Sequence, residues 1–296
     1  MDCNNFQDGG FFRPFGELGN PKIRANAVIF GSSKARHGIN PKFLSGLGLE
    51  FYNFSINSAT VEYYYYWFYP LFKKYYPKPE LILLEVNSMI FGKGLTRTSI
   101  QSDIVFFPSN IFFTELLNPN FNINIFTMIK YINKSNFANC LFAKRVHHDK
   151  NGPTPAYRDI YRGFYPYYSN GWEHTRPKPI DFNDNGFEDR KVAIFELLVN
   201  EFLENGSKVI LINTPEYTKA KKPNDKAFKT LRDFSKKKSI PFLDYNEEYS
   251  SDINNNDTLF SDLLHLNRFG HAKFSLKLKK DLTPIIEKFF PQEPKT

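Results

Sequence analysis

Hydrophobic residues form five short, nearly continuous runs along the chain and do not alternate regularly with polar residues. Runs of this kind indicate strands buried on both faces, as in a parallel sheet. The predicted strands are residues 27–31, 50–54, 81–86, 208–213 and 240–245.

Segments with helical spacing of apolar residues lie among these strands. The predicted helices are residues 59–76, with a kink at Pro70, then 189–204, 225–238 and 270–289. Alternating strands and helices are typical of α/β proteins. The pattern therefore predicts a three-layer α/β/α sandwich around a five-stranded parallel sheet, with a flavodoxin-like arrangement.

The stretch between residues 90 and 189 has no clear period and is rich in Phe, Tyr, Asn and Pro. A structureless loop of this length is uncommon in a compact domain. We therefore expect an aromatic-rich insertion or cap, with some helices of its own, inside a single domain that covers residues 1–296.

The composition of the chain mainly excludes classes of partner and of membrane attachment. The chain has 296 residues, a net charge of +8 and 17% aromatic residues. Its basic residues are scattered, so no nucleic-acid partner is expected. No run of apolar residues is long enough to predict an integral membrane segment. The default expectation is a cytoplasmic protein, or an extracytoplasmic one if an anchor precedes this sequence.

Two cysteines, Cys3 and Cys140, are too few for a disulfide framework. No cluster of Asp, His or Cys has the spacing of metal ligands, so neither a metal nor another cofactor is expected. The composition leaves the oligomeric state open.

The first candidate for chemistry is the turn Gly31-Ser32-Ser33, which follows the first predicted strand. Open parallel sheets bind ligands beyond the carboxyl ends of their strands. A serine at this turn presents its hydroxyl to solvent, and the helix N-terminus behind it favours the negative charge that develops in a reaction there. A serine that merely caps the next helix would give the same pattern.

The second candidate is the pair Asp262 and His265, between the last predicted strand and the last predicted helix. A nucleophilic serine needs a base, and the base needs a group that orients it. Three residues of separation allow the Asp262 carboxylate to accept a hydrogen bond from the His265 imidazole. A capping aspartate beside a surface histidine is the alternative. The adjacent His147 and His148 point apart and suit a site less well.

Together these segments resemble the SGNH, or GDSL-type, hydrolase superfamily. In "VIFGSSKARHGINP", Ser33 takes the position of the family's nucleophile, and "SDLLHLNRFGHAKFS" supplies Asp262 and His265 as its D-x-x-H dyad. "HLNRFGHAKFS" is similar to a stretch of membrane-associated bacterial branches that act on cell-envelope polymers. The resemblance covers about residues 22–89 and 208–289.

The resemblance implies a serine esterase or O-acyltransferase that works through an acyl-enzyme. It implies an oxyanion hole formed by the N–H groups of Ser33 and Ser55 and by the amide of Asn87. Ser55 stands where the family has glycine, and Glu85 and Ser88 depart from the family's Gly-x-Asn-Asp block. These departures favour the alternative of a catalytically inactive module that binds carbohydrate or protein.

The resemblance also implies an acyl ester substrate, of a small molecule or of a carbohydrate or cell-envelope polymer. Trp172, in the aromatic insertion, is a candidate for stacking against sugars. Lys34, Arg36 and His37 follow the nucleophile and predict either a solvated helix face or a cationic rim in which Arg36 binds substrate. The choice between hydrolase and transferase stays open.

Overall fold

The computed structural model describes residues 23–57, 59–76, 78–87, 90–92, 162–164, 187–217, 225–247 and 252–291. These residues form one five-stranded sheet in the order β2-β1-β3-β4-β5, and every neighbouring pair of strands is parallel. The strands are β1 Ala27–Phe30, β2 Phe51–Asn53, β3 Leu81–Glu85, β4 Lys208–Asn213 and β5 Phe242–Asp244. This order is the flavodoxin-like one, and the predicted fold class is confirmed.

Helices connect the strands. They are α1 Ser33–Gly38, α2 Val61–Tyr63, α3 Tyr69–Tyr75, α4 Asp189–Glu204, α5 Asp225–Lys238 and α6 Gly270–Phe289, with short 3₁₀ turns at Pro41–Leu44 and Asp257–Leu259. The bounds of α4, α5 and α6 agree with the sequence prediction. All three helices lie in segments with a clear helical period.

The two faces of the sheet carry separate cores. Val28 and Phe30 of β1 pack with residues of α2, α3, α4 and α5. Ala27 and Ile29 point to the opposite face and pack with residues of α1 and α6. All four side chains are fully buried. Because successive side chains of a strand point to opposite faces, both faces need a helical layer, and a three-layer sandwich results.

The predicted kink at Pro70 takes the form of a π-helical turn. Residues Tyr64–Phe68 form this turn between α2 and α3, and the Tyr69 N–H donates to the Tyr64 carbonyl five residues back. Proline has no N–H to donate and its ring crowds the preceding turn. A widened turn accommodates both defects, so the helix continues to Tyr75 without a break.

Most of the predicted insertion, including Trp172, His147 and His148, lies outside the described residues. Its two ends meet, because Gly92 and Phe187 form an antiparallel bridge. Residues 162–164 lie against β2, where the Asn53 N–H donates to the Arg162 carbonyl at 2.9 Å. A Cβ at position 163 would lie 2.1 Å from the Asn53 carbonyl oxygen, so only glycine fits there. The single-domain organisation stays a prediction.

Within the ranges that the structure describes, no helix combines the length and the apolar character needed to cross a membrane.

Candidate active site

A sharp turn at the carboxyl end of β1 presents the Ser33 hydroxyl. Ser33 is the first residue of α1, and Ser32 caps this helix by accepting a hydrogen bond from the Lys34 N–H at 3.3 Å. Gly31 allows the close approach of β3, because a Cβ there would lie 2.5 Å from the Glu85 Cβ. The strand, the glycine and the cap together place Ser33 at the edge of the sheet.

Ser33, His265 and Asp262 form a continuous hydrogen-bonded chain. The Ser33 Oγ lies 2.7 Å from His265 Nε2. On the other side of the ring, His265 Nδ1 lies 2.8 Å from Asp262 Oδ2. A carboxylate can only accept a hydrogen bond, so Nδ1 carries the proton and Nε2 is left to accept one from the serine hydroxyl. This arrangement prepares His265 to act as a base toward Ser33.

The Asp262 carboxylate is held in its ionised form. Its Oδ1 also accepts the backbone N–H groups of Leu264, at 2.8 Å, and of His265, at 2.9 Å. Burial acts to raise the pKa of Asp262, but the hydrogen bond and charge of His265 and the two N–H groups outweigh burial. The pKa of Asp262 is therefore below its ordinary value, and the group stays negative at neutral pH.

Asn267 and Gly270 fix the conformation of the dyad loop, which is the loop before α6 that carries Asp262 and His265. Asn267 Oδ1 accepts the N–H groups of Phe269 and Gly270, at 2.9 and 3.0 Å, and so caps α6. Its Nδ2 donates to the Thr258 carbonyl at 2.7 Å. A Cβ at Gly270 would lie 2.0 Å from the Leu259 carbonyl oxygen, so the loop can pack this tightly only against glycine.

Ser275 joins α6 to the end of α1. Its hydroxyl accepts the Asn40 N–H at 3.0 Å and donates to the Gly38 carbonyl at 3.3 Å. The neighbouring Phe274 is fully buried in the core on this face of the sheet. The segment "HLNRFGHAKFS" thus holds His265 opposite Ser33 through four of its residues, which are Asn267, Gly270, Phe274 and Ser275.

The assignment of Ser55 to the oxyanion hole is wrong. Its N–H already donates to Asn53 Oδ1 at 2.9 Å, and the residue is buried. The Asn53 side chain is fixed by donating to the carbonyls of Ala35 and Ile39, at 3.0 and 2.8 Å. The Ser55 N–H is therefore committed to a local turn after β2 and does not face the Ser33 hydroxyl as a free donor.

The two other predicted donors, on Ser33 and Asn87, lie at the nucleophile turn. The Ser33 N–H makes no hydrogen bond to any other residue that the structure describes. Such an N–H in the first turn of a helix can donate to a ligand. The Asn87 Nδ2 lies 3.4 Å from Ser32 Oγ and 3.1 Å from Glu85 Oε1. The Asn87 amide therefore borders the nucleophile turn.

Lys34, Arg36 and His37 are all buried, and Arg36 is only 1% exposed. Both predictions for this segment, the solvated face and the cationic rim, are therefore wrong. The reason is that α1 is covered by α6 and by the loops that follow β4 and β5. Lys34 pairs with Glu216 at 2.5 Å, and the His37 ring meets the His265 ring edge-on with centroids 5.9 Å apart. Lys34 and His37 therefore pack beneath the site, where they contact Glu216 and His265.

Tyr64 and Glu85 contact the nucleophile turn and were not predicted to do so. The Tyr64 hydroxyl accepts the Gly31 N–H at 2.9 Å and donates to the Gly31 carbonyl at 2.7 Å. Burial raises the pKa of Tyr64 far above its ordinary value, so the hydroxyl keeps its proton and can donate. Glu85 was detectable in principle, because a carboxylate inside the apolar run "LILLEV" needs a buried partner.

In the described part of the chain, no group of three or more His, Cys, Asp or Glu side chains is arranged as metal ligands would be. Among the described residues, the groups that meet at the candidate site are the Ser33 hydroxyl, the His265 imidazole, the Asp262 carboxylate and the neighbouring donors.

No family model and no curated protein matches the chain. It is similar to the crystal structure of a "putative acylhydrolase" from Bacteroides fragilis, with 14% identity, a TM-score of 0.41 and 97% and 98% of the two chains covered. It is also similar to the structure of a "putative platelet activating factor" from Streptococcus pneumonia, with 9% identity, a TM-score of 0.48 and 96% and 94% covered. At such low similarity the chemistry of the site is judged from its own geometry.

Proposed function

We propose that the protein is a serine esterase or O-acyltransferase of the SGNH type, with Ser33 as nucleophile, His265 as base and Asp262 as the orienting group. The observation that carries this proposal is the hydrogen-bonded chain itself, with 2.7 Å from Ser33 to His265 and 2.8 Å from His265 to Asp262. The order of groups is that of a serine nucleophile activated by an oriented imidazole.

In the first half of the reaction, the Ser33 Oγ bonds to the carbonyl carbon of an ester while His265 Nε2 takes the hydroxyl proton. The negative Asp262 stabilises the imidazolium that forms. His265 then gives the proton to the departing alcohol as the bond from carbon to that alcohol oxygen breaks. An acyl-enzyme on Ser33 remains.

In the second half, water or an acceptor hydroxyl attacks the acyl-enzyme while His265 again takes a proton. The bond to Ser33 Oγ breaks, and the proton returns to this oxygen. Water as the attacking group releases a carboxylic acid, and a sugar hydroxyl releases a new ester. Esterase and acyltransferase therefore share the same residues, and access of water to the acyl-enzyme distinguishes them.

The groups proposed to bind the oxyanion formed in both halves are the Ser33 N–H and the Asn87 amide, whose 3.4 Å contact with Ser32 Oγ would be exchanged for one with the oxyanion. The Ser33 N–H is at the start of α1, where the helix dipole also favours negative charge. A donor of this kind is worth about 2.7–4 kcal/mol in the transition state. Of the three donors predicted from the sequence, these two are kept in the proposal.

The proposed substrate is an O-acyl ester of a carbohydrate or of a cell-envelope polymer. This part of the proposal rests on the resemblance of "HLNRFGHAKFS" to branches with such substrates and on the aromatic insertion around Trp172. Aromatic side chains offer flat apolar faces with polar edges, which suit carbohydrate rings.

Turnover of a panel of acyl esters by the wild type and by Ser33→Ala tests the proposal. Ser33→Ala should lower kcat by a factor of at least about 10³, because the nucleophile is lost. Ser45→Ala is the matched control, since Ser45 is an exposed serine outside the hydrogen-bonded chain, and it should keep full activity. Turnover by Ser33→Ala at the wild-type rate would reject the nucleophile. A wild type without activity on any ester would favour the inactive binding module.

A further inference from the structure

We infer that Glu85 is a positioning residue of the site: one buried carboxylate holds both the nucleophile turn and the Asn87 amide in place. This inference rests on the proposed function. Glu85 is the last residue of β3 and is 3% exposed, so its side chain lies behind the turn and acts through Ser32 and Asn87.

Three hydrogen bonds converge on the Glu85 carboxylate. Its Oε2 accepts the backbone N–H of Ser32 and the hydroxyl of Ser32, each at 2.8 Å. Its Oε1 accepts from Asn87 Nδ2 at 3.1 Å. Hydrogen bonds to a charged acceptor are stronger than those between neutral groups, so this cluster is held firmly.

The first consequence concerns the orientation of Asn87. An amide side chain can turn by 180° and exchange its oxygen and nitrogen. Because a carboxylate only accepts hydrogen bonds, Glu85 fixes the amide with its nitrogen toward the turn. One N–H of Asn87 is thus bound to Glu85, and the other points to the Ser32 hydroxyl, 3.4 Å away, at the turn that carries Ser33. Only this orientation can stabilise an oxyanion.

The second consequence concerns the direction of the Ser33 N–H. Ser32 donates hydrogen bonds to Glu85 from both its backbone N–H and its hydroxyl. The same hydroxyl oxygen accepts a hydrogen bond from the Lys34 N–H. The cap of α1 is thus tied to β3. The peptide between Ser32 and Ser33 is itself held by the Arg36 N–H, which donates to the Ser32 carbonyl at 3.1 Å, so the Ser33 N–H keeps its direction.

A neutral glutamine cannot replace the carboxylate in this cluster. Its single carbonyl oxygen could accept from Ser32 or from Asn87, but its NH₂ group would face a donor on the other side. Glu85→Gln should therefore release either the turn or the amide while the size of the side chain stays almost unchanged.

The test compares Glu85→Gln with Glu62→Gln. Glu62 is also a buried glutamate, and its carboxylate lies 3.8 Å from Lys191 on α4, so it controls for loss of a buried charge. Ester turnover, labelling by a fluorophosphonate and thermal unfolding are measured for both variants. Glu85→Gln should lower kcat and the labelling rate at least about 10-fold with KM changed less than about 3-fold, as expected for misplaced groups. Glu62→Gln should change kcat less than about 2-fold.

A double-mutant cycle with Asn87→Ala separates positioning from general destabilisation. If Glu85 acts through Asn87, Glu85→Gln should cost at least about 3-fold less in the Asn87→Ala background than in the wild type. Losses that multiply fully, or an effect of Glu85→Gln no larger than that of Glu62→Gln, would overturn the inference.

Glu85→Asp keeps the test decisive if Glu85→Gln does not fold. Its carboxylate is shorter by one methylene and reaches either Ser32 or Asn87 but not both, so kcat should fall while the charge is kept. Wild-type kcat in Glu85→Asp would overturn the inference. These outcomes presuppose a wild type that is labelled at Ser33; a wild type that is neither labelled nor active would reject the proposed function instead.

Discussion

Lys34 Nζ lies 2.5 Å from Glu216 Oε1, and each side chain is only 2% exposed. This buried ion pair joins α1, which begins at the nucleophile, to the loop after β4. The next residue along that loop, Tyr217, donates its N–H to the Leu263 carbonyl at 3.1 Å, inside the loop that carries Asp262 and His265. The two halves of the candidate triad are thus connected through one buried pair.

Removing one partner of this pair should be much more harmful than removing both. Lys34→Met leaves the Glu216 charge buried and should lower the free energy of unfolding by about 3–5 kcal/mol. The double variant Lys34→Met/Glu216→Leu should recover most of this loss, because neither charge of the pair then stays in the interior. Urea unfolding followed by circular dichroism gives both values.

Lys277→Met is the matched control for the ion pair. Lys277 pairs with Asp281 at 3.2 Å on the surface of α6, with 45% of its side chain exposed. Its loss should cost no more than about 1 kcal/mol. A double variant less stable than Lys34→Met alone would contradict this account of the buried pair.

Activity on the acid side of the pH profile depends on the Asp262 charge, which orients the His265 imidazole toward Ser33. Asp262, whose pKa is below its ordinary value, stays ionised through this range. His271 does not contribute, because burial lowers its pKa to about 4. Asp262→Asn removes the charge that orients the His265 imidazole and stabilises its cation during the reaction, so kcat of ester turnover should fall. Wild-type kcat in Asp262→Asn would speak against the assigned role.

Gly270→Ala should disturb the dyad loop. The new Cβ would lie 2.0 Å from the Leu259 carbonyl oxygen, so the loop or the start of α6 must move. We expect a loss of about 1–3 kcal/mol in the free energy of unfolding and a lower kcat. Gly38→Ala is the control, since its nearest contact, Leu266 Cδ1, is 3.6 Å away. Equal stability of the two variants would show that the loop tolerates the extra methyl group.

Trp172→Ala tests the proposed carbohydrate substrate. If the insertion supplies a stacking surface, this variant should lose more activity on an acylated polysaccharide than on a small aryl ester, because stacking contributes only where a sugar is bound. The ratio of kcat/KM values on the two substrates is the measurement. Equal losses on both would mean that Trp172 serves the insertion's own packing.

The regular part of the fold could be predicted because its signals are local. The continuous apolar runs gave the five strands, and the helical period gave α4, α5 and α6 with the observed bounds. Ser33 and the Asp262–His265 pair could be placed together because the carboxyl ends of parallel strands share one edge of the sheet.

The errors concern residues whose hydrogen-bond and ion-pair partners cannot be inferred from the hydrophobic pattern. Lys34 looked exposed, but its partner Glu216 is 182 positions away and cannot be inferred from helix spacing. Ser55 looked like a donor, but the Asn53 side chain takes its N–H through a local turn. The role of Glu85 depends on a close approach between β1 and β3 at Gly31, which periodicity does not reveal.

The most direct test of the central claim is to label the protein with a fluorophosphonate and to locate the label by peptide mass spectrometry. Only an activated serine reacts readily with this reagent, and here the 2.7 Å contact with His265 is the source of activation. The account predicts one labelled peptide with the modification on Ser33, no label on Ser33→Ala and strongly reduced labelling of His265→Ala. A wild type that is not labelled, or a label that persists on Ser32 or elsewhere in Ser33→Ala, would contradict it.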